Sequence, residues 1–286
     1  MIYLSSFHFP SADVEFGFFN SQKLTCYDSF YPFQVLSRQH LELLEFEPVT
    51  ILYGGNGSGK TTALNIIAET LHLKREALYN RSGFFEDYTR YCDYDLAASL
   101  PKASRVITSD DVFNYMLNLR SLNEGIDEKR EELFQEFLDA KYSDFHFRTM
   151  EDFEELQKVN LARRKTQSKY VRSRLMDNVR EQSNGESAFR YFVEKIGEDG
   201  LYLLDEPENS LSASRQMELA EFLAQSARFF GCQLVISTHS PFLLAIPEAK
   251  IYDLDGKPPR ARRWTELEDV RLYRDFFRRH EDAFRE

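Results

Sequence analysis

The chain has 286 residues, with 36 Lys and Arg against 47 Asp and Glu, for a formal net charge of -11. That excess of acid excludes uniform attraction to nucleic acid or to an anionic membrane and leaves room only for a local basic face. The three cysteines, Cys26, Cys92 and Cys232, have neither paired spacing nor histidines at ligand distance, so no disulfide framework or zinc site is expected and a reducing cytoplasm fits.

In chain order, the opening MIYLSSFHFP lacks the basic start and long apolar middle of a secretion signal and reads as a first strand. No later apolar run approaches the length of a bilayer span, so no membrane insertion is expected. The residues before 48, rich in aromatics and turn formers, are expected to form an antiparallel sheet flanking the core. VTILYGG (49–55) is a short β-branched run ending in glycines. After it, KTTALNIIAETLHL places Leu64, Ile67, Ala68 and Leu71 at helical spacing, so strand, loop and helix follow one another. Apolar runs at 103–109, 200–206, 232–238 and 249–255, the later ones separated by helical stretches such as SRQMELAEFLAQSARFF, predict buried parallel strands covered by helices. Residues 110–185 are polar, charged and helical in texture and are expected to form a lobe inserted into one α/β domain, whose core is 1–109 and 186–286.

Gly54, Gly55, Asn56, Gly57, Ser58, Gly59, Lys60 and Thr61, followed by Thr62, fit G-x-x-x-x-G-K-[ST] between the predicted strand and helix. There the glycines let backbone amides close around phosphates, Lys60 reaches the terminal phosphates and the Thr61 hydroxyl can ligate Mg²⁺. LYLLDEPE (201–208) is a buried strand ending in two acids. Asp205 is the candidate Mg²⁺ carboxylate and Glu206 the candidate water-activating base. His239, in VISTHSPFLL, stands at a third strand end, where it could bond the γ-phosphate or orient water. The other five histidines have no such context.

The phosphate loop, Ser183-Asn184-Gly185-Glu186, LLDEP and STHS, in that order, resemble the ATP-binding cassette ATPases, and within them the soluble branch that includes chromosome-maintenance, recombination and phage-defence ATPases. The resemblance implies a P-loop NTPase fold of ABC type, mainly parallel, with a flanking antiparallel sheet. It matches Ser183–Glu186 to the signature loop, with Asn184 in place of a usual glycine, 208–212 to the loop after the catalytic glutamate and His239 to the switch histidine. It also implies that ATP is held between the phosphate loop of one subunit and the signature loop of a second, in a homodimer formed on ATP binding. The residues suit that use, since Ser183 offers a hydroxyl and Gly185 permits close approach at the start of a helix. They equally suit a capping box from Ser183 to Glu186, and both roles are compatible.

The family's glutamine, which contacts Mg²⁺ and water between the phosphate loop and the lobe, has no counterpart, because no Gln occurs from 61 to 134. Asp110 or Asp111, in VITSDDVF, replaces it, or the contact is missing and Asp110 caps a helix. Tyr31 and Phe33 are candidate adenine-stacking aromatics only by being aromatic and upstream. Residues 158–180 carry eight Lys or Arg against one acid, with Val171, Leu175 and Val179 as an apolar stripe. They read as one amphipathic helix, offering either a nucleic-acid or protein effector surface or a solvated face. Even a helix of about thirty residues reaches only about 45 Å, far short of long coiled-coil arms. The expected function is a cytoplasmic Mg²⁺-dependent ATPase acting as a switch in a repair, recombination or phage-defence process. The alternatives are an ATP-binding regulator of a nuclease or toxin with little turnover, and a nucleotide-binding subunit of a transporter.

Overall fold

The computed structural model describes residues 1–22, 27–144, 152–178, 184–209 and 211–284. In chain order these form β1 (Leu4–His8), α1 (Ala12–Ser21), β2 (Leu43–Glu45), β3 (Val49–Tyr53), α2 (Lys60–Thr70), α3 (Phe85–Thr89), β4 (Asp93–Leu96), β5 (Arg105–Thr108) and α4 (Ser109–Tyr142). They continue with α5 (Phe153–Arg164), α6 (Gln167–Arg172), α7 (Asn184–Lys195), β6 (Gly200–Asp205), α8 (Ala213–Phe229), β7 (Cys232–Ser237), α9 (Pro241–Leu244), β8 (Lys250–Asp253), β9 (Arg260–Arg262) and α10 (Glu268–Arg279). The chain divides into two compact units, Met1–Phe113 with Asn184–Glu286, and Asn114–Ser183.

The first unit is built on a six-stranded sheet of order β5-β6-β7-β3-β8-β9. Every pairing is parallel except that of β9 with β8. The five apolar runs of the sequence are the parallel strands β3, β5, β6, β7 and β8. All residues of β3 and β7 are buried, the continuous burial of strands covered on both faces. Register aligns the strand ends: Thr108 pairs with Asp205, Asp205 with Ser237, Leu52 with Ser237 and Tyr53 with Asp253. The residues just beyond these ends therefore meet along one edge.

A second sheet of order β2-β1-β4 is antiparallel throughout. Gln233 of β7, fully buried, stitches it to the core, because its Oε1 accepts from the amides of Tyr3 and Leu4 at 2.8 and 2.9 Å and its Nε2 donates to the Leu4 carbonyl at 2.7 Å. The flanking sheet is thus present, but the residues before 48 do not make it alone. Residues 12–21 are helix α1, with Ser11 as N-cap and Asp13 and Glu15 in the first turn. Phe18 on α1 stacks against Phe33 at 4.2 Å, and this burial outweighs the strand-like aromatic content. The third strand is supplied by β4, whose four residues are all exposed and which the pairing with β1 alone makes a strand.

The second unit has its own core of Leu133, Phe137, Ala162, Tyr170 and Val171. Here the single helix expected over 158–180 is corrected. α5 ends at Arg164, Lys165 and Thr166 are extended, and α6 occupies only 167–172. In a continuous helix Ala162 and Tyr170 would stand about 80° apart and about 12 Å along the axis. The break returns Tyr170 and Val171 to the core that Ala162 already fills. Tyr170 is fully buried and its hydroxyl donates to Glu136 at 2.7 Å. Leu175 packs at the edge of this core, while Val179 lies outside the described residues.

Candidate active site

The loop from Gly54 to Lys60 leaves β3 at the centre of the sheet and enters α2. Gly59, the residue before the helix, has φ +97°, and a Cβ there would lie 2.8 Å from Leu36 Cδ2. A Cβ at Gly54 would lie 2.7 Å from Ser58 Oγ, so the loop folds tightly only without one. Ser58 is buried, and its hydroxyl has no hydrogen-bond partner among the described residues, as suits a cradle that takes an anion. Asn56, Gly57 and Thr61 are exposed. Thr62 is buried, with its hydroxyl 3.2 Å from that of Tyr31.

Lys60 is buried and points back across the loop, donating to the carbonyls of Gly54 and Gly55 at 2.7 and 3.2 Å. Its Nζ also lies 2.8 Å from His239 Nε2. Burial pulls the Lys60 pKa below its ordinary value, opposed by the nearby charges of Glu206, Asp205, Asp255 and Glu208. Asp205, at the end of β6, accepts from the Thr61 hydroxyl at 3.0 Å. Burial holds its carboxyl above the usual range, a penalty that the Thr61 hydrogen bond reduces.

Glu206 takes φ +48°, a left-handed conformation that costs a non-glycine residue about 1 kcal/mol. Its amide donates to the Ser237 carbonyl at 2.9 Å, and its Oε1 stands 4.0 Å from His239 Nε2. The turn therefore aims the second acid of the pair across β7 at the histidine. The predicted loop, Asp205, Glu206 and His239 are brought together at the strand ends.

Other predicted residues are placed differently. Asp111 is buried and both its oxygens are engaged, one accepting from the Ala77 amide at 2.6 Å and the other from the Thr108 amide and hydroxyl at 2.7 and 2.9 Å. It clamps backbone and is not presented as a metal ligand. Asp110 is exposed in the first turn of α4. Phe33 is buried, stacked on Phe18 and edge-on to Tyr88, and lines the same cavity as Tyr31. Tyr31 borders a cavity of about 290 Å³ lined also by Phe30, Gln34, Val35 and Arg38. Ser183 lies outside the described residues, whereas Asn184, Gly185 and Glu186 form the first turn of α7.

Two carboxylates were not foreseen. Glu208 Oε1 accepts from the amides of both His239 and Ser240, at 2.6 and 3.2 Å, while its Oε2 is buried without a partner among the described residues. Asp255, in the turn between β8 and β9, accepts from the Gly55 amide with both oxygens, at 3.0 and 2.8 Å. The Glu two positions after Glu206 and the Asp-Gly of the hairpin were visible in the sequence, but nothing local indicated which amides they hold.

Thr61 and Asp205 offer adjacent hard oxygen donors, the set that suits Mg²⁺ shared with a phosphate ligand and water. Among the described residues no group of three or more His, Cys, Asp or Glu could hold a metal by itself. Among them, too, no helix is long and apolar enough to cross a membrane.

A family model described as "AAA domain, putative AbiEii toxin, Type IV TA system" matches residues 178–245. A sequence search among curated proteins gives no match. Among solved structures, the Smc head domain of Pyrococcus furiosus bound to the C-terminal domain of ScpA is similar at 11% identity, covering 82% of this chain and 94% of that one with a TM-score of 0.40. An ATP-binding cassette in a dimeric post-hydrolysis state with ADP and Pi is similar at 16% identity, covering 78% and 88% with a TM-score of 0.36. The strand order and the motifs at the strand ends define the fold. The family match at 178–245 spans the segment that holds α7, β6, α8, β7 and α9, and with them Asp205, Glu206 and His239.

Proposed function

We propose that the chain binds ATP with Mg²⁺ in the cradle of residues 54–62 and hydrolyses it, with Glu206 taking the proton of the attacking water and His239 orienting that water or the γ-phosphate. One observation carries this reading: Lys60, His239 and Glu206 form a continuous cluster, with 2.8 Å between the first two and 4.0 Å between the last two. Thr61 and Asp205 would hold Mg²⁺, which neutralises phosphate charge when bound. Lys60 neutralises the terminal phosphates, and the buried Ser58 hydroxyl and loop amides complete the cradle. Adenine lies against Tyr31, beside the loop through Thr62. The signature turn at Ser183–Glu186 completes the site of a second subunit, so that turnover belongs to a two-fold dimer and closure is the switch. The toxin–antitoxin wording of the matched family supports a defence-type process.

A second reading, an ATP-binding regulator with little turnover, is favoured by Asp111. It is engaged in backbone hydrogen bonds where the family places a glutamine. Steady-state hydrolysis separates the two. Glu206→Gln should retain ATP binding and lower turnover by about 10²- to 10⁴-fold. Equal turnover by wild type and variant would remove Glu206 as the base.

A further inference from the structure

The parallel ladder between β3 and β8 pairs Tyr53 with Asp253, and just beyond it the Leu254 amide donates to the Tyr53 carbonyl at 2.8 Å. There the two chains part, β3 into the phosphate loop and β8 into its hairpin with β9. A side chain takes over from the ladder. The Gly55 amide donates to both carboxylate oxygens of Asp255, at 3.0 and 2.8 Å, and the register of the strands makes Asp255 the residue level with Gly55.

Asp255 is fixed before it reaches the loop. Its own amide donates to Asp253 Oδ1 at 3.1 Å, and Asp253 is buried and paired with Arg262 of β9 at 3.2 Å. Leu254, between the two acids, is fully buried. The carboxylate is therefore carried on a hairpin anchored in the core, and little freedom remains to be lost when it accepts.

The carbonyl side of the same peptides is held by the lysine. An ammonium has three donors, and those of Lys60 are directed at the carbonyls of Gly54 and Gly55 and at His239 Nε2. A lysine that serves the terminal phosphates has to release such partners. Once it does, the front of the loop keeps the bond from the Ser58 amide to the Gly55 carbonyl, at 3.2 Å, and the one from the Gly55 amide to Asp255.

We propose that Asp255 is a positioning residue of the phosphate loop: its carboxylate keeps the Gly55 peptide in place while Lys60 moves from the loop carbonyls to the phosphates of ATP. The inference rests on the reading of residues 54–62 as an ATP cradle. Asp255 acts through the Gly55 peptide, and what the loop needs from it is an acceptor rather than a charge. Its side chain is exposed, so water and salt screen its repulsion of phosphate.

Two variants separate acceptor from charge, since Asp255→Ala removes both and Asp255→Asn removes only the charge. In nucleotide-free protein labelled with 15N-glycine, hydrogen exchange at the Gly55 amide should be about tenfold faster in Asp255→Ala and close to wild type in Asp255→Asn, the scale of one hydrogen bond to a charged acceptor. Calorimetric titration with ATP and Mg²⁺ should show Kd raised about tenfold by Asp255→Ala and within about twofold of wild type in Asp255→Asn. Turnover of Asp255→Ala should show the loss mainly in KM, with kcat within about threefold of wild type. Equal loss of affinity in both variants would overturn the proposal, because the charge would then be what matters. The two ways of failing are distinct: no ATP binding by wild type refutes the cradle, whereas unchanged Gly55 exchange in Asp255→Ala refutes the tether whether or not ATP binds.

Discussion

Asp205 is held under opposing demands, because the buried strand end that sets it against the Thr61 hydroxyl also penalises its charge. Its folded pKa is raised, so between the unfolded value and the folded one the native state binds more protons than the unfolded state, and stability falls as pH rises through that window. Above the window the penalty is complete. Asp205→Asn keeps an oxygen to accept from Thr61 and carries no charge. At neutral pH it should melt above wild type, and calorimetry should show the gain vanish as the pH falls through the carboxylate range. A variant less stable than wild type at neutral pH would mean that Asp205 pays no such penalty. Glu208 acts differently, through the amides of His239 and Ser240. Glu208→Ala should lower kcat by about 10- to 100-fold, the scale of losing charge-assisted hydrogen bonds, with little change in KM, while Glu208→Gln, still an acceptor, should recover most of it. Equal loss in both variants would exclude a positioning role. The phosphate loop, Asp205, Glu206 and His239 were legible because their chemistry is written at fixed local spacing. Glu208 and Asp255 were not, since the amides they hold lie 31 and 200 residues away.

At the scale of elements, the parallel strands announced themselves as short apolar runs because both faces of the sheet are covered. α1 and β4 did not, since each is decided by its partners: Phe18 by the rings around it, and β4 by the edge of β1. The basic run after 158 misled for a related reason. Its helical periodicity was real within α5 and again within α6, but the core of the second unit needs Tyr170 and Val171 beside Ala162, and the chain breaks at Lys165–Thr166 to deliver them. The break leaves Arg163 and Arg164 exposed at the end of α5. As an effector surface, this run should give salt-dependent DNA or RNA binding in the presence of ATP. Reversal of Arg163, Arg164 and Lys165 to Glu should abolish that binding and flatten its salt dependence without changing basal turnover. No binding by wild type at low salt would assign the run to solvent.

For the whole molecule, a single chain brings the phosphate loop, Asp205, Glu206 and His239 to one sheet edge. The proposed use of the signature turn at 183–186 is in a second chain. Ser183→Arg should block closure over ATP while sparing nucleotide binding, and Lys60→Ala should fail at binding, so each variant alone should be inactive. A two-fold interface between them makes one site with both lesions and one with neither. The most direct measurement is ATP turnover of the two variants mixed, with mixed dimers verified by differential tags. The predicted result is recovery of up to about a quarter of wild-type activity, since about half the dimers are mixed and each has one intact site. Full activity of Ser183→Arg alone, or turnover independent of protein concentration down to a demonstrated monomer, would contradict a site shared between two chains.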